Sequence, residues 1–199
     1  MSGKKQFNEQ QALDAAMRVF WEKGFAATSM AELEAATKLN KSSLYNTFGN
    51  KEALYGKSLE HFRTQYTERV FQQLAHPDLA QALNDVFSRL IAGFESPNCP
   101  SGCIATMAAL EMNETSKDIA QLVAKGIDDT LQALTQRLSQ GIADKQLPPE
   151  TAPQELASMI VAVTRGVIVL NMGTGNSLAG HQAYRQLLRQ LNIQALPKT

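Results

Sequence analysis

Leu39-Asn40-Lys41-Ser42-Ser43-Leu44-Tyr45-Asn46-Thr47-Phe48 is the stretch whose reading decides the fold. Asn40 is a good helix cap, because its side-chain oxygen can accept from a free amide of the first turn. Leu44 and Phe48, four apart, share one face with Leu39 just ahead of the helix, and Lys41, Ser42, Ser43, Tyr45, Asn46 and Thr47 are left facing outward. Upstream, Ser29 can cap a short helix in which Met30, Leu33 and Ala36 share a face, with Lys38-Leu39 as the turn between the two. Further back, Asn8 followed by Gln11 is a capping-box pattern, and Leu13, Ala16, Met17 and Phe20 recur at helical spacing up to a stop at Gly24. Three helices of this kind, the last two joined by a tight turn, make a helix-turn-helix whose third helix offers polar donors to a duplex.

Residues 8 to 55 resemble the DNA-binding domain of TetR-type (TetR/AcrR) regulators. The likeness is carried by Ala26-Ala27-Thr28-Ser29-Met30-Ala31-Glu32-Leu33, the stretch quoted above, and Asn50-Lys51-Glu52-Ala53-Leu54. It implies a homodimeric repressor that inserts the third helix into the major groove of a near-palindromic double-stranded operator. The expected contacts are Thr28, Lys41, Ser42, Ser43, Tyr45, Asn46, Thr47 and Lys51. Tyr45 and Lys51 would position the protein on phosphates, and Ser42, Ser43 and Asn46 would reach base edges. Lys38 departs from the family pattern, which has glycine at the turn. A non-glycine residue in a left-handed turn costs about 1 kcal/mol, so the turn is expected to be strained or differently wound.

Composition is compatible with this reading without requiring it. The chain has 199 residues, 44% hydrophobic, and Lys+Arg and Asp+Glu are 19 each, so affinity for DNA must come from a local arrangement. Two cysteines make no disulfide framework, and the first residues lack the apolar run of a signal peptide, which points to the cytoplasm. The apolar run Ala157 to Met172 is interrupted by Ser158, Thr164, Arg165, Gly166 and Asn171, and a buried helix suits it better than a membrane span.

Beyond Asn50, a long helix is expected to reach His76-Pro77, and Asp78 opens another that stops at the loop Ser96 to Gly102. A short helix from Cys103 to Asn113 follows, then one capped by Ser116 that runs through Ile142, and after Pro148-Pro149 the final two, Thr151 to Met172 and Leu178 to Leu191. The fold class is therefore all-α with about nine helices. Residues 1–50 form the helix-turn-helix domain, and 51–199 a larger ligand-binding and dimerisation domain. A helix apolar on most sides needs cover on most sides. A second copy can supply it, with the last two helices of each protomer forming a four-helix interface, as the resemblance also implies.

Cys99-Pro100-Ser101-Gly102-Cys103 is the stretch that invites chemistry. At a helix start Cys103 would be favoured as thiolate and could meet an electrophile or oxidant, with Cys99 to resolve it; the alternative is a small buried hydrophobe. A thiol-dependent enzyme or redox sensor built on Cys103 is the rival to the repressor. Zinc is not expected, since His61, His76 and His181 lie at no ligand spacing, and no catalytic motif or cofactor signature occurs. Glu111 and Arg165 interrupt apolar stretches and either anchor a ligand or pair with each other or across a dimer. Phe62, Tyr66, Phe94, Cys103, Met107, Glu111 and Arg165 are the candidate contacts for a small-molecule effector. Phe87, Met112 and Met159 belong to the same apolar set, which reads residue by residue as core.

Overall fold

The computed structural model describes residues 7–100, 102–111 and 116–191. All regular structure among them is helical: α1 Glu9–Ala27, α2 Met30–Thr37, α3 Lys41–Phe48, α4 Lys51–Phe62, α5 Glu68–Phe71, α6 Leu79–Glu95, α7 Ile104–Leu110, α8 Lys117–Ala143, α9 Pro153–Thr174 and α10 Leu178–Gln190. A π-helical turn at Arg63–Thr67 joins α4 to α5, and a 3-10 turn at Gln72–Ala75 follows. Counted as one run, 51–75 leaves nine helices among the described residues, as expected. Met112, Ser101 and the far end of the helix expected to reach Asn113 lie outside the described residues.

The caps explain where most of these helices begin. Asn8, Asn40, Asn50 and Asp78 each accept from amides of the first turn, with Ser43 N–H to Asn40 Oδ1 at 2.8 Å. Ser29 and Glu32 form a full capping box at the start of α2. One boundary differs from expectation. Gly24 does not end α1 but kinks it, at φ 79° and ψ 177°, and helical pairing resumes to Ala27.

The chain packs as two units. Of the described residues, the first holds those from 7 to 65 and from 103 to 124; the second holds those from 66 to 102 and from 125 to 191. In the first, α1 lies against α4, α2 and α7, and α3 against α2 and α4. Ala16, Met17, Phe20, Leu33, Leu44, Phe48, Leu54 and Tyr55 are among its buried apolar residues, and Trp21 stands edge-on to Phe62 with centroids 4.8 Å apart.

The second unit has its own core, from Leu79, Leu83, Val86, Phe87 and Ile91 on α6 through Leu134 and Leu138 to Ile160, Val167, Tyr184 and Leu188. Phe87 and Tyr184 stack at 4.2 Å with planes 4° apart. α9 is the one described helix long and apolar enough to cross a membrane, with a mean hydropathy of 1.7 over its best window. Leu156, Ala157, Ile160, Val167, Ile168 and Asn171 form its buried stripe, while Met159, Val169 and Leu170 stay 42–49% exposed.

Candidate nucleic-acid interface

α3 is an eight-residue helix held from behind. Leu44 and Phe48 are 1% and 5% exposed, so the helix cannot roll without opening the core. Lys41, Ser42, Tyr45 and Asn46 are exposed on its other side, and Ser43 and Thr47 are half-buried at its edges. Lys41 Nζ lies 5.5 Å from the Tyr45 ring centroid, a cation over an aromatic face.

The turn that sets α3 is wound through Lys38 in the left-handed conformation, φ 58° and ψ 27°. The turn therefore keeps the left-handed winding that favours glycine, with a lysine in its place. Thr37 supports it, donating to Leu33 C=O at 2.7 Å and accepting from Leu39 N–H at 3.3 Å.

Behind the turn, α1 and α2 are tied by charge. The Lys23 ammonium donates to the Glu32 carboxylate, which also accepts from the Ser29 N–H and hydroxyl. The Lys23 hydrogen bond, and then the Ser29 donors, lower the Glu32 pKa from the usual 4.5 to about 2; the same pairing raises that of Lys23.

Thr28 stands apart from the other expected contacts. It is 2% exposed and its hydroxyl donates to Gly24 C=O at 2.6 Å, a bond within the protein. Lys51 is half-buried at the start of α4, its Nζ 4.5 Å from the Phe25 ring centroid. Two lysines escaped the sequence reading, Lys38 as a charge and Lys57, which is exposed with Nζ 5.6 Å from the Phe48 ring. A windowed charge count would have found them: Lys38, Lys41, Lys51 and Lys57 face only Glu52 between positions 38 and 57. Glu52 is itself engaged by the Ser116 N–H at 2.6 Å. A neutral chain thus carries a locally basic stretch from Lys38 to Lys57, across the turn, α3 and the start of α4, which favours phosphate binding.

The effector candidates divide between the two units. Phe62, Cys103, Met107 and Glu111 fall in the first, and Tyr66, Phe94 and Arg165 in the second. Phe62 is buried and Phe94 packs on the second core. Cys103 is half-buried at the N-cap of α7, without a side-chain capping bond. Glu111 accepts from Phe25 N–H at 2.8 Å. Burial, then Glu111, then Cys103 push the Tyr55 phenol well above its ordinary range. An open groove in the second unit is lined by Leu131, Gln132, Thr135, Gln136, Gln154 and Ser158, none of them a candidate.

A short capped helix, locked by two apolar anchors and presenting donors beside clustered lysines, defines a helix-turn-helix DNA-binding protein. Comparison with known proteins is consistent with that. Residues 12–57 match the family described as bacterial regulatory proteins, tetR family, and residues 80–187 match the tetracyclin repressor-like C-terminal domain. The chain belongs to the TetR family, whose members are transcriptional regulators and not enzymes. It is 30% identical to the HTH-type transcriptional repressor ComR of Escherichia coli K12 over 167 residues, 83% of this chain and 80% of ComR. A cysteine mutant of the TetR-family regulator CifR, solved on a 26-bp operator duplex, superposes with a TM-score of 0.86 at 26% identity, covering 94% of this chain and 98% of CifR. Reduced E. coli NemR shares the fold, with a TM-score of 0.83 at 20% identity and coverage of 94% and 98%.

Proposed function

We propose that the protein is a cytoplasmic repressor that binds a near-palindromic operator as a homodimer and is released by a small-molecule or electrophilic effector. The outward face of α3 carries this reading: Lys41, Ser42, Tyr45 and Asn46 are exposed while Leu44 and Phe48 hold the helix. Tyr45, Lys41 and Lys51 position the protein on phosphates, and Ser42, Ser43, Asn46 and Thr47 address bases. Residues 1–50 serve as the DNA-binding domain and 51–199 as the ligand-binding and dimerisation domain. The repressor function of ComR and the operator duplex on CifR support the assignment.

Two such helices must be spaced by a dimer to meet successive major grooves. Support for an interface through α9 and α10 comes from the exposed apolar residues Met159, Val169 and Leu170 on α9 and Leu178, 61% exposed, at the start of α10. An effector acts by preferring one separation of the two recognition helices, since a ligand shifts an equilibrium only by its differential affinity. Phe62, Tyr66, Phe94, Cys103, Met107, Glu111 and Arg165 remain the residues to vary in seeking it.

A gel shift against the DNA upstream of the protein's own gene, titrated with salt, tests the proposal. Specific binding that weakens steeply with salt is expected. Absence of binding at low salt would sink it. For the effector, labelling rates of each thiol against pH are decisive: if Cys103 titrates like a free thiol and Cys103→Ser leaves induction intact, the electrophile reading is lost.

A further inference from the structure

The peptide group between Gly24 and Phe25 is turned out of the helix by the Gly24 kink and is then held at both ends. Its carbonyl accepts from the Thr28 hydroxyl at 2.6 Å, and its N–H donates to Glu111 Oε2 at 2.8 Å. Glu111 is the C-cap residue of α7, far along the chain from α1. The carboxylate fits closely against the glycine: a Cβ on Gly24 would lie 2.3 Å from Glu111 Oε1. A charged acceptor for a main-chain N–H is among the stronger hydrogen bonds a protein makes.

What this clamp orients is the Phe25 ring. The ring packs at 5.1 Å on Tyr55 and 6.4 Å on Phe20, and its remaining contact of note is the Lys51 ammonium, 4.5 Å from the centroid. A lysine side chain has four rotatable bonds, and a ring face is one of the few things that narrows where its charge rests.

We infer that Glu111 is a positioning residue for DNA binding: by clamping the Gly24–Phe25 peptide it sets the Phe25 ring beneath Lys51 and aims that ammonium at an operator phosphate. This rests on the phosphate role proposed above for Lys51. Glu111 acts through Phe25 and touches no DNA itself.

The test is a double-mutant cycle on operator binding measured across a salt series, with Glu111→Ala, Glu111→Gln, Lys51→Met and Glu111→Ala/Lys51→Met. Lys51→Met is expected to weaken binding about fivefold per half-site and to lower the salt slope by about 0.9 per half-site. Glu111→Ala should reproduce most of that loss, and in the Lys51→Met background should add almost nothing. Glu111→Gln, whose amide oxygen can accept the same bond, should bind like wild type and keep the Phe25 amide slow to exchange, whereas Glu111→Ala should speed that exchange.

Additive losses, or a Gln variant as impaired as the Ala variant, would overturn the inference. Should Glu111→Ala fail to fold, Phe25→Leu keeps the clamped peptide and removes only the ring; it must then show the Lys51→Met salt slope, and a wild-type slope refutes the proposal. If wild type binds and Lys51→Met leaves the slope unchanged, the phosphate role of Lys51 fails separately. No binding by wild type overturns both readings.

Discussion

Gly24→Ala meets a backbone cost and a steric cost at one position. At φ 79° and ψ 177° Gly24 occupies backbone space that is essentially reserved for glycine, and an alanine held there costs about 1–3 kcal/mol. Its methyl would also meet Glu111 Oε1 at 2.3 Å, a contact relieved only by moving the carboxylate off the Phe25 N–H. Losing a hydrogen bond to a charged group costs about 1.5–3 kcal/mol. The two costs share one relaxation and do not sum fully, so about 3 kcal/mol is expected. For a chain of this length that lowers Tm by roughly 6–12 °C. Thermal unfolding at fixed protein concentration, followed by circular dichroism, reads it. Repeating the substitution in a Glu111→Ala background should leave only the backbone part, about 1–3 kcal/mol. A Tm within about 2 °C of wild type for Gly24→Ala would refute the reasoning, because neither the backbone cost nor the displaced carboxylate would then be real.

Lys38→Gly removes a left-handed non-glycine cost of about 1 kcal/mol and adds about 0.5–1 kcal/mol of unfolded-state entropy for glycine, so stability should stay level or rise by up to about 0.5 kcal/mol, with operator affinity unchanged. A Tm lowered by about 1–4 °C would mean that the chain winds through Lys38 without strain. Glu32→Gln tests the tie between α1 and α2 by pH. The folded-state pKa of Glu32 is depressed, so its contribution is present above 4.5 and disappears as pH falls towards about 2. The Tm gap between wild type and Glu32→Gln should therefore be constant above 4.5 and close below it; a gap independent of pH contradicts the assignment. Leu170→Glu places a charge on the exposed stripe of α9 and should convert the proposed dimer to the 21.8 kDa monomer in light scattering, with loss of operator binding. A dimer that survives this change uses another face.

The boundaries legible from sequence are those set by local chemistry. Asn40, Asn50 and Asp78 cap the helices they were expected to cap, because an N-cap needs only its own side chain and the next three amides. The division of α3 into buried Leu44 and Phe48 and exposed Lys41, Ser42, Tyr45 and Asn46 follows from helical spacing alone. Readings failed where the answer lay far along the chain. Gly24 looks like a helix stop, and its role as a kink depends on a carboxylate 86 positions beyond Phe25. Thr28 looks like a DNA contact, and its hydroxyl is taken by the carbonyl that the same kink turns towards it. The run from Asn50 towards Pro77 reads as one continuous helix, and the π turn at Arg63–Thr67 has no local sequence signal. Lys57 was within reach of a charge count but sits outside the helix that carries the motif.

The central claim is that two copies of α3 read DNA together from one face of the duplex. Hydroxyl-radical footprinting on the upstream DNA tests it most directly. The account predicts two protected patches related by near-palindromic sequence, their centres about 10 base pairs or a multiple of that apart. A single patch, or uniform protection without preferred sequence, would contradict it.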